Sequence, residues 1–381
     1  MEIHPLKVII PEEGKEFIIS RLQNVINSIS GWTDDCYARK FEAAFAESIG
    51  VNYGVAVNSG TSAIQTMIYT LGYDSKDCIA FVPTLTAPPT ALACLASNMK
   101  VVFVDSQKKD LGMDPTDLRR KINKYGCNKG LIIPVHVGGI VSSDIDEIIA
   151  IGKEYNMPVV EDCAHAHGAT FNGIFAGARG KMGMFSFFMT KVLMSGEGGM
   201  VVTNDEELYQ RSAIIHNYGK QNGVYQYKGL NWRMSELNAV VALWQTLDSE
   251  RILNERRKIA KKYDDLVKNS HYYQPLCLEP RIQSSYYKYV VYLSDGIDRH
   301  ILKEVLKKEY SITLPSEIYQ YPCHKEPVFQ QFDNVLNLKE DFETSMEIAN
   351  KQICFPIYPG LQDNEIHYVI DSINKVINQM I

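Results

Sequence analysis

Lys191 is set in an apolar run. Phe185, Phe187, Phe188 and Met189 precede it, and Val192, Leu193 and Met194 follow. Apolar surroundings disfavour the charged form of a lysine and leave a neutral, nucleophilic amine. Such amines form Schiff bases with carbonyl compounds. Gly196, Gly198 and Gly199 come soon after, in a stretch suited to close approach of backbone to a ligand. A lone lysine at a strand end is ordinarily a solvated one, so this reading depends on what accompanies it.

Two further motifs accompany it. Asn58-Ser-Gly-Thr-Ser-Ala63 follows the short apolar run 54–57 and opens a helix predicted over 61–71. Gly60 permits the sharp turn, and Thr61 and Ser62 add hydroxyls beside the free N–H groups of a first helical turn. That makes a phosphate site, although an ordinary N-cap has the same composition. Asp162, in Glu161-Asp-Cys-Ala-His165-Ala-His167, follows the strand-like Pro158-Val-Val. A carboxylate at a strand's carboxyl end can keep a pyridine nitrogen protonated. His165 and His167 with Asp162 could instead suggest a metal, but they lack the i, i+4 helical spacing of a metal pair and no further ligand cluster is evident, so no metal is expected. A phosphate turn, a strand-end aspartate and an apolar lysine are the contacts that pyridoxal phosphate requires. Ser186 is a further candidate phosphate hydroxyl. The glycine signatures of dinucleotide and P-loop sites are absent.

These residues need a scaffold that brings strand ends together. Short apolar runs at 54–57, 79–82, 101–104, 131–135, 158–160, 185–188 and 200–202 alternate with helical segments. One helix is predicted from Asp114-Pro115, another after Ser143-Asp144, and a third over 205–215. Before them, 11–50 reads as two helices broken at Gly31-Trp32-Thr33. The alternation implies a mainly parallel sheet with helices on both faces and a ligand site at the strands' carboxyl ends. After a loop at 217–232, a long helix beginning near Ser235 and continuing through 250–268 leads into a second unit. That unit holds a strand over Tyr286–Leu293, a helix after Asp298 and an amphipathic helix over 363–381. The predicted boundary lies near 250, giving units 1–250 and 251–381.

Composition sets bounds on function. The chain has 381 residues, 45% of them hydrophobic and 22% charged, with a net charge of −6. That balance argues against a nucleic-acid partner. The cysteines (36, 78, 94, 127, 163, 277, 323 and 354) form no C-x-x-C pair, as expected of reduced thiols in a cytoplasm. The first residues lack a signal peptide's apolar core, and no run reaches the roughly 18 apolar residues that span a bilayer, so no membrane partner is expected.

The motifs together resemble the DegT-type sugar aminotransferases. The resemblance runs from Phe41-Glu42 through Asn58–Ala63, Val102–Asp105, His136-Val-Gly-Gly, Val160–Ala169, Phe185–Lys191, Gly198–Asp205 and Gly229–Glu236 to Pro356–Gly360. It implies a fold type I, pyridoxal-phosphate-dependent α/β transferase: a mainly parallel seven-stranded sheet plus a smaller C-terminal α/β domain. Lys191 would be the Schiff-base lysine and Asp162 the partner of the ring nitrogen. His165 would lie near the ring, and Thr61, Ser62 and Ser186 would touch the phosphate. Asn231 would come from the partner subunit of a homodimer, and His324 would lie near the sugar. The implied substrates are a keto-sugar, nucleotide-linked, and an amino donor, L-glutamate. The chain departs from the family at Ala87, where an aromatic residue usually stacks on the cofactor, at Met189, where proline is common, and at Tyr218, where histidine is common. A dehydratase, which in this family has histidine in place of the lysine, and a non-catalytic regulatory protein are the alternatives. Lys191 counts against the first, and Lys191 and Asp162 together count against the second.

Overall fold

A computed structural model describes residues 1–28, 31–33, 36–126 and 128–380. Cys127 and Ile381 lie outside the described residues, as do four positions of the 11–50 segment. The chain opens with α1 (Glu12–Asn27) and α2 (Cys36–Ser48). Alternating strands and helices follow: β1 (Tyr53–Val57), α3 (Gly60–Leu71), β2 (Ile79–Pro83), α4 (Pro88–Ala96) and β3 (Lys100–Val104). Next come α5 (Pro115–Tyr125), β4 (Gly130–Ile132), α6 (Ile145–Glu154) and β5 (Val160–Asp162). After the short strands β6 (Thr170–Phe171) and β7 (Ile174–Phe175) come β8 (Met182–Ser186), β9 (Gly199–Thr203) and α7 (Glu206–Ile215).

The main strands form one sheet. β3, β2 and β4 pair in parallel, and β5 pairs in parallel with β8. Parallel bridges Ile132↔Val159 and Val135↔Asp162 join the two groups. β9 runs antiparallel between β8 and β1. The order is therefore β3-β2-β4-β5-β8-β9-β1, a seven-stranded sheet with one reversed strand. β2, β8 and β9 are buried from end to end, as expected of a sheet covered on both faces. The carboxyl ends of β1, β2, β5 and β8 meet at one edge, where open sheets of this kind bind ligands.

Strand positions shift slightly from the sequence pattern. The run predicted at 185–188 is a strand only from Met182 to Ser186. Phe187, beyond the strand, still donates its N–H to the Gly198 carbonyl, Phe188 is exposed, and Lys191 sits in the loop that follows. The strand predicted at 158–160 forms at Val160–Asp162. Pro158 has no N–H to give to a ladder, and its carbonyl accepts from Ile132 instead. Asp162 is thus the last residue of its strand.

A hairpin of β10 (Lys220–Gln221) and β11 (Val224–Tyr225) lies in the loop before α8 (Glu236–Leu247) and α9 (Ser249–Val267). The single long helix predicted here breaks at Asp248, whose carboxylate is taken by Arg251 of the second helix. Then come β12 (Tyr273–Pro275), β13 (Ile282–Gln283), β14 (Tyr289–Leu293), α10 (Arg299–Tyr310), α11 (Glu343–Lys351), β15 (Gln352–Phe355) and α12 (Asp363–Met380). β12, β14 and β15 form a small antiparallel sheet. A separate core gathers Tyr263, Tyr289, Phe355 and the α12 stripe Ile366, Val369, Ile370, Ile373 and Ile377, together with Ile3. By contrast, Cys323, Phe329, Val335 and Phe342 pack into the core around α3, β2 and α4. The seven described cysteines are unpaired, and no described helix is long and apolar enough to cross a membrane.

Two glycines let α3 start against the sheet. A Cβ at Gly60 would lie 2.8 Å from the Ser186 Cβ, and one at Gly199 would overlap the Ser59 carbonyl. Gly199→Ala therefore forces backbone apart from backbone. It should lower stability by about 1–3 kcal/mol and weaken cofactor retention, as thermal unfolding and cofactor release would show. A variant as stable as the parent would contradict this packing.

Candidate active site

The anion-binding end of the site is the first turn of α3. Ser59 caps it: Ser62 N–H donates to Ser59 Oγ at 3.1 Å, and Ser59 N–H donates to Ser62 Oγ at 3.0 Å. Ser62 Oγ also donates to Asn58 Oδ1 at 2.7 Å. The Ser62 hydroxyl is therefore buried and used by the cap. The N–H groups of Gly60 and Thr61 have no partner among the described residues. They stand at the positive pole of a helix, where anions bind.

A cavity of about 250 Å³ opens beside this turn, and Gly60, Thr61, Asp162, His165, Ser186 and Lys191 all line it. Asp162 is buried at its far end. Thr90 Oγ1 donates to one carboxylate oxygen at 2.8 Å, and the Ala164 N–H donates to the other at 3.0 Å. Burial raises the Asp162 pKa; these two donors and Lys191 oppose that rise. Lys191 is pushed down to about 8, by burial first and with Lys288 adding repulsion, while Asp162 pulls the other way. Its Nζ lies 5.2 Å from the centre of the Tyr287 ring. His165 stacks on Tyr287 with ring centres 4.0 Å apart. Its Nδ1 accepts the Gly138 N–H at 3.4 Å. Burial, then Lys191, holds its pKa well below the ordinary range, so the imidazole is neutral.

Other predicted residues lie elsewhere. Asn231 is exposed, and its backbone carbonyl accepts from Asn58 Nδ2 at 3.2 Å. It does not line the cavity of its own chain. His324 is also outside the cavity. It is buried, 2.7 Å from Thr84 Oγ1 through Nδ1, and packed on Phe342. His167 lies among Phe45, Phe185 and Phe187, so Asp162, His165 and His167 do not converge. His136, Glu161 and Cys163 do come together. There Glu161 already accepts from His136 at 2.8 Å and from the N–H groups of Gly177, Arg179 and Gly180, which describes a satisfied buried pair rather than an open metal site. A larger groove of about 600 Å³, beside β12 and β14, contains none of the predicted site residues.

Sequence reasoning missed Thr90, Tyr287 and Tyr319. Thr90 had a signal: hydroxyls four residues apart, Thr86 and Thr90, flank the Pro88-Pro89 helix start and lie 3.1 Å apart. Tyr287 and Tyr319 reach the site from the C-terminal part of the chain, and no local pattern marks such a contact.

The donor set fits pyridoxal phosphate. Unpartnered N–H groups offer a phosphate cradle, Asp162 a partner for a protonated ring nitrogen, and Lys191 an amine for the aldehyde. Comparison with known proteins agrees. Residues 12–374 match the model of the DegT/DnrJ/EryC1/StrS aminotransferase family. GDP-perosamine synthase of Escherichia coli O157:H7 is 31% identical over 346 residues, covering 89% of this chain and 90% of that protein. The dTDP-3-amino-3,6-dideoxy-alpha-D-galactopyranose transaminase of Aneurinibacillus thermoaerophilus is 29% identical, covering 93% and 94%. DesV of S. venezuelae, solved in complex with a ketimine intermediate, superposes with a TM-score of 0.87 at 25% identity over 96% of this chain and 95% of that one. With its seven-stranded sheet and a lysine, an aspartate and a helix N-terminus around one cavity, this chain belongs to the DegT/DnrJ/EryC1/StrS family of pyridoxal-phosphate-dependent sugar aminotransferases.

Proposed function

We propose that this chain moves an amino group from L-glutamate to a nucleotide-linked keto-sugar, in the two half-reactions of a ping-pong cycle. The observation that carries the reading is the Lys191 amine, its pKa held near 8, in one cavity with Asp162 and the α3 N-terminus. Relatives named for GDP- and dTDP-linked sugars support the nucleotide. When bound, pyridoxal phosphate supplies an aldehyde and an electron-withdrawing ring that stabilises charge on the donor's α-carbon. Gly60, Thr61 and Ser186 hold its phosphate. Asp162 keeps a proton on the ring nitrogen, with Thr90 fixing the carboxylate. Lys191 Nζ takes the proton from the donor's α-carbon and later returns one to the sugar carbon that gains nitrogen. Neutral His165 is a hydrogen-bonding group beside the ring that adds no charge.

The same reading takes residues 1–250 as the cofactor-binding unit and 251–381 as a smaller unit, at work in the cytoplasm. The separate core around Tyr263 and Phe355 supports that division. It also takes the active form as a homodimer in which Asn231 completes the partner's site. Phe188, Met189, Tyr218, Leu230 and Leu237 are large apolar side chains left exposed in the single chain, which supports a covering partner.

The direct test is incubation of the cofactor-loaded protein with L-glutamate and no sugar. One equivalent of 2-oxoglutarate per site is expected, and borohydride should fix the cofactor to Lys191 in the resting protein. No 2-oxoglutarate, or label on another lysine, would refute the reading.

Cofactor uptake by the apoprotein should depend on pH through Lys191. Only the neutral amine attacks the aldehyde. With its pKa at about 8, the uptake rate should level off above that pH and fall about tenfold per unit below it. A flat profile between pH 6 and 9 would show that another step or group limits uptake.

Sharing of the site is tested by mixing subunits. Lys191→Ala and Asn231→Ala homodimers should each be inactive. A mixed dimer has one doubly damaged site and one intact site if Asn231 acts across the interface. Activity should then return in proportion to the mixed fraction; no recovery despite verified exchange would reject the shared site.

A further inference from the structure

A flat aromatic cofactor is held well by a flat apolar wall. Two of the residues that line the cavity with Asp162 are small: Ala87, at the N-cap of α4, and Ala164. The aromatic carbon rings that line it are Phe188 and Tyr319. Phe188 is 39% exposed, on the loop that leads to Lys191. Tyr319 lies inside. Its ring is within 19° of parallel to His165, with centres 5.9 Å apart. Its phenol is held well above the usual range, first by burial and then by the Asp162 charge, while the Ala87 backbone opposes the shift. Tyr319, Ala87 and Asp162 thus line one cavity, with the Tyr319 ring roughly parallel to that of His165.

The segment that delivers it is strapped across the end of β2. Cys323 N–H donates to the Thr84 carbonyl at 2.7 Å, and Cys323 Sγ lies 3.1 Å from the Thr86 carbonyl. His324 Nδ1 meets Thr84 Oγ1 at 2.7 Å. On the other side, buried Gln352 accepts from the Ile318 N–H at 3.0 Å and donates to the Tyr319 carbonyl at 3.1 Å. Residues 318–324 are thus held from both sides, which fixes where the Tyr319 ring goes. This also gives His324 an account: it anchors the strap.

We propose that Tyr319 supplies the aromatic wall of the cofactor cavity, filling from the C-terminal part of the chain the space that the Ala87 methyl leaves open. The inference rests on the cofactor occupying the Lys191 cavity, which borohydride labelling of Lys191 settles separately. A wall made of a tyrosine from another part of the chain, rather than a side chain on α4's own cap, makes position 319 a determinant of cofactor retention.

The experiment measures the dissociation constant for pyridoxal phosphate, by fluorescence quenching, and the visible circular dichroism of the bound cofactor. Wild type, Tyr319→Phe, Tyr319→Ala, Ala87→Phe and the double variant Ala87→Phe/Tyr319→Ala are compared, with far-ultraviolet dichroism confirming that each is folded. Tyr319→Phe keeps the ring and should bind within about twofold of wild type. Tyr319→Ala should bind at least about tenfold more weakly and lose most of the visible dichroism, since an aromatic face has been removed. Ala87→Phe should also bind more weakly, because two rings then compete for one space. The double variant should recover to within about threefold of wild type, an outcome that a merely structural role for Tyr319 would not produce. Labelled Lys191 with unchanged cofactor affinity in Tyr319→Ala would overturn the proposal. So would a Tyr319→Phe defect as large as that of Tyr319→Ala, or a double variant no better than either single one.

Discussion

The contact on which the site depends is between the first turn of α3 and the ends of β8 and β9. Gly60 and Gly199 allow it, because no Cβ stands between helix and sheet there. The capping box formed by Ser59 and Ser62 consumes the hydroxyls nearest the backbone and leaves the outer N–H groups free. A positive pole is thereby placed beside Ser186 and the loop that carries Lys191. If α3 began half a turn later or farther from the sheet, the same residues would be present without a common cavity.

The two acids at the end of β5 show how one strand separates support from function. Neighbouring residues on a strand point to opposite faces. For Glu161, burial works to raise the pKa, but His136 and the N–H groups of Gly180 and Gly177 outweigh it and the group is held below its usual value. Glu161 pins the 177–180 turn under the sheet. For Asp162 the balance is reversed: burial prevails over Ala164, Thr90 and Lys191, leaving a carboxylate with spare capacity to stabilise a positive charge. A cation arriving at Asp162 relieves a cost already present in the fold, whereas none is needed at Glu161.

Much of this was legible in the sequence, and the limit has a physical form. Lys191, Asp162 and the Asn58–Ala63 turn were readable because each is defined by its own neighbours: an apolar run, a strand end, a helix start. The alternation of runs gave the sheet, and β-branched content placed its strands within a few residues. What stayed hidden depends on long-range return of the chain. The Ser62 hydroxyl looked free and is consumed by its cap. His324 looked like a loop histidine near the sugar and is buried against Phe342. Tyr287 and Tyr319 reach His165 across more than a hundred residues of intervening sequence, a distance over which periodicity has no bearing.

The return of residues 323–342 to the first core also bears on how the molecule is made. Phe329 packs on Phe103, and Asn337 bonds both ways to the Phe103 backbone, so β3 is completed by chain that is synthesised far later. Domains usually fold in order as they leave the ribosome. Here the core around α3, β2 and α4 cannot close until residues 323–342 have emerged. The β3 edge of the sheet therefore stays uncovered through most of translation, the interval in which a nascent chain is most exposed to pairing with the wrong strand.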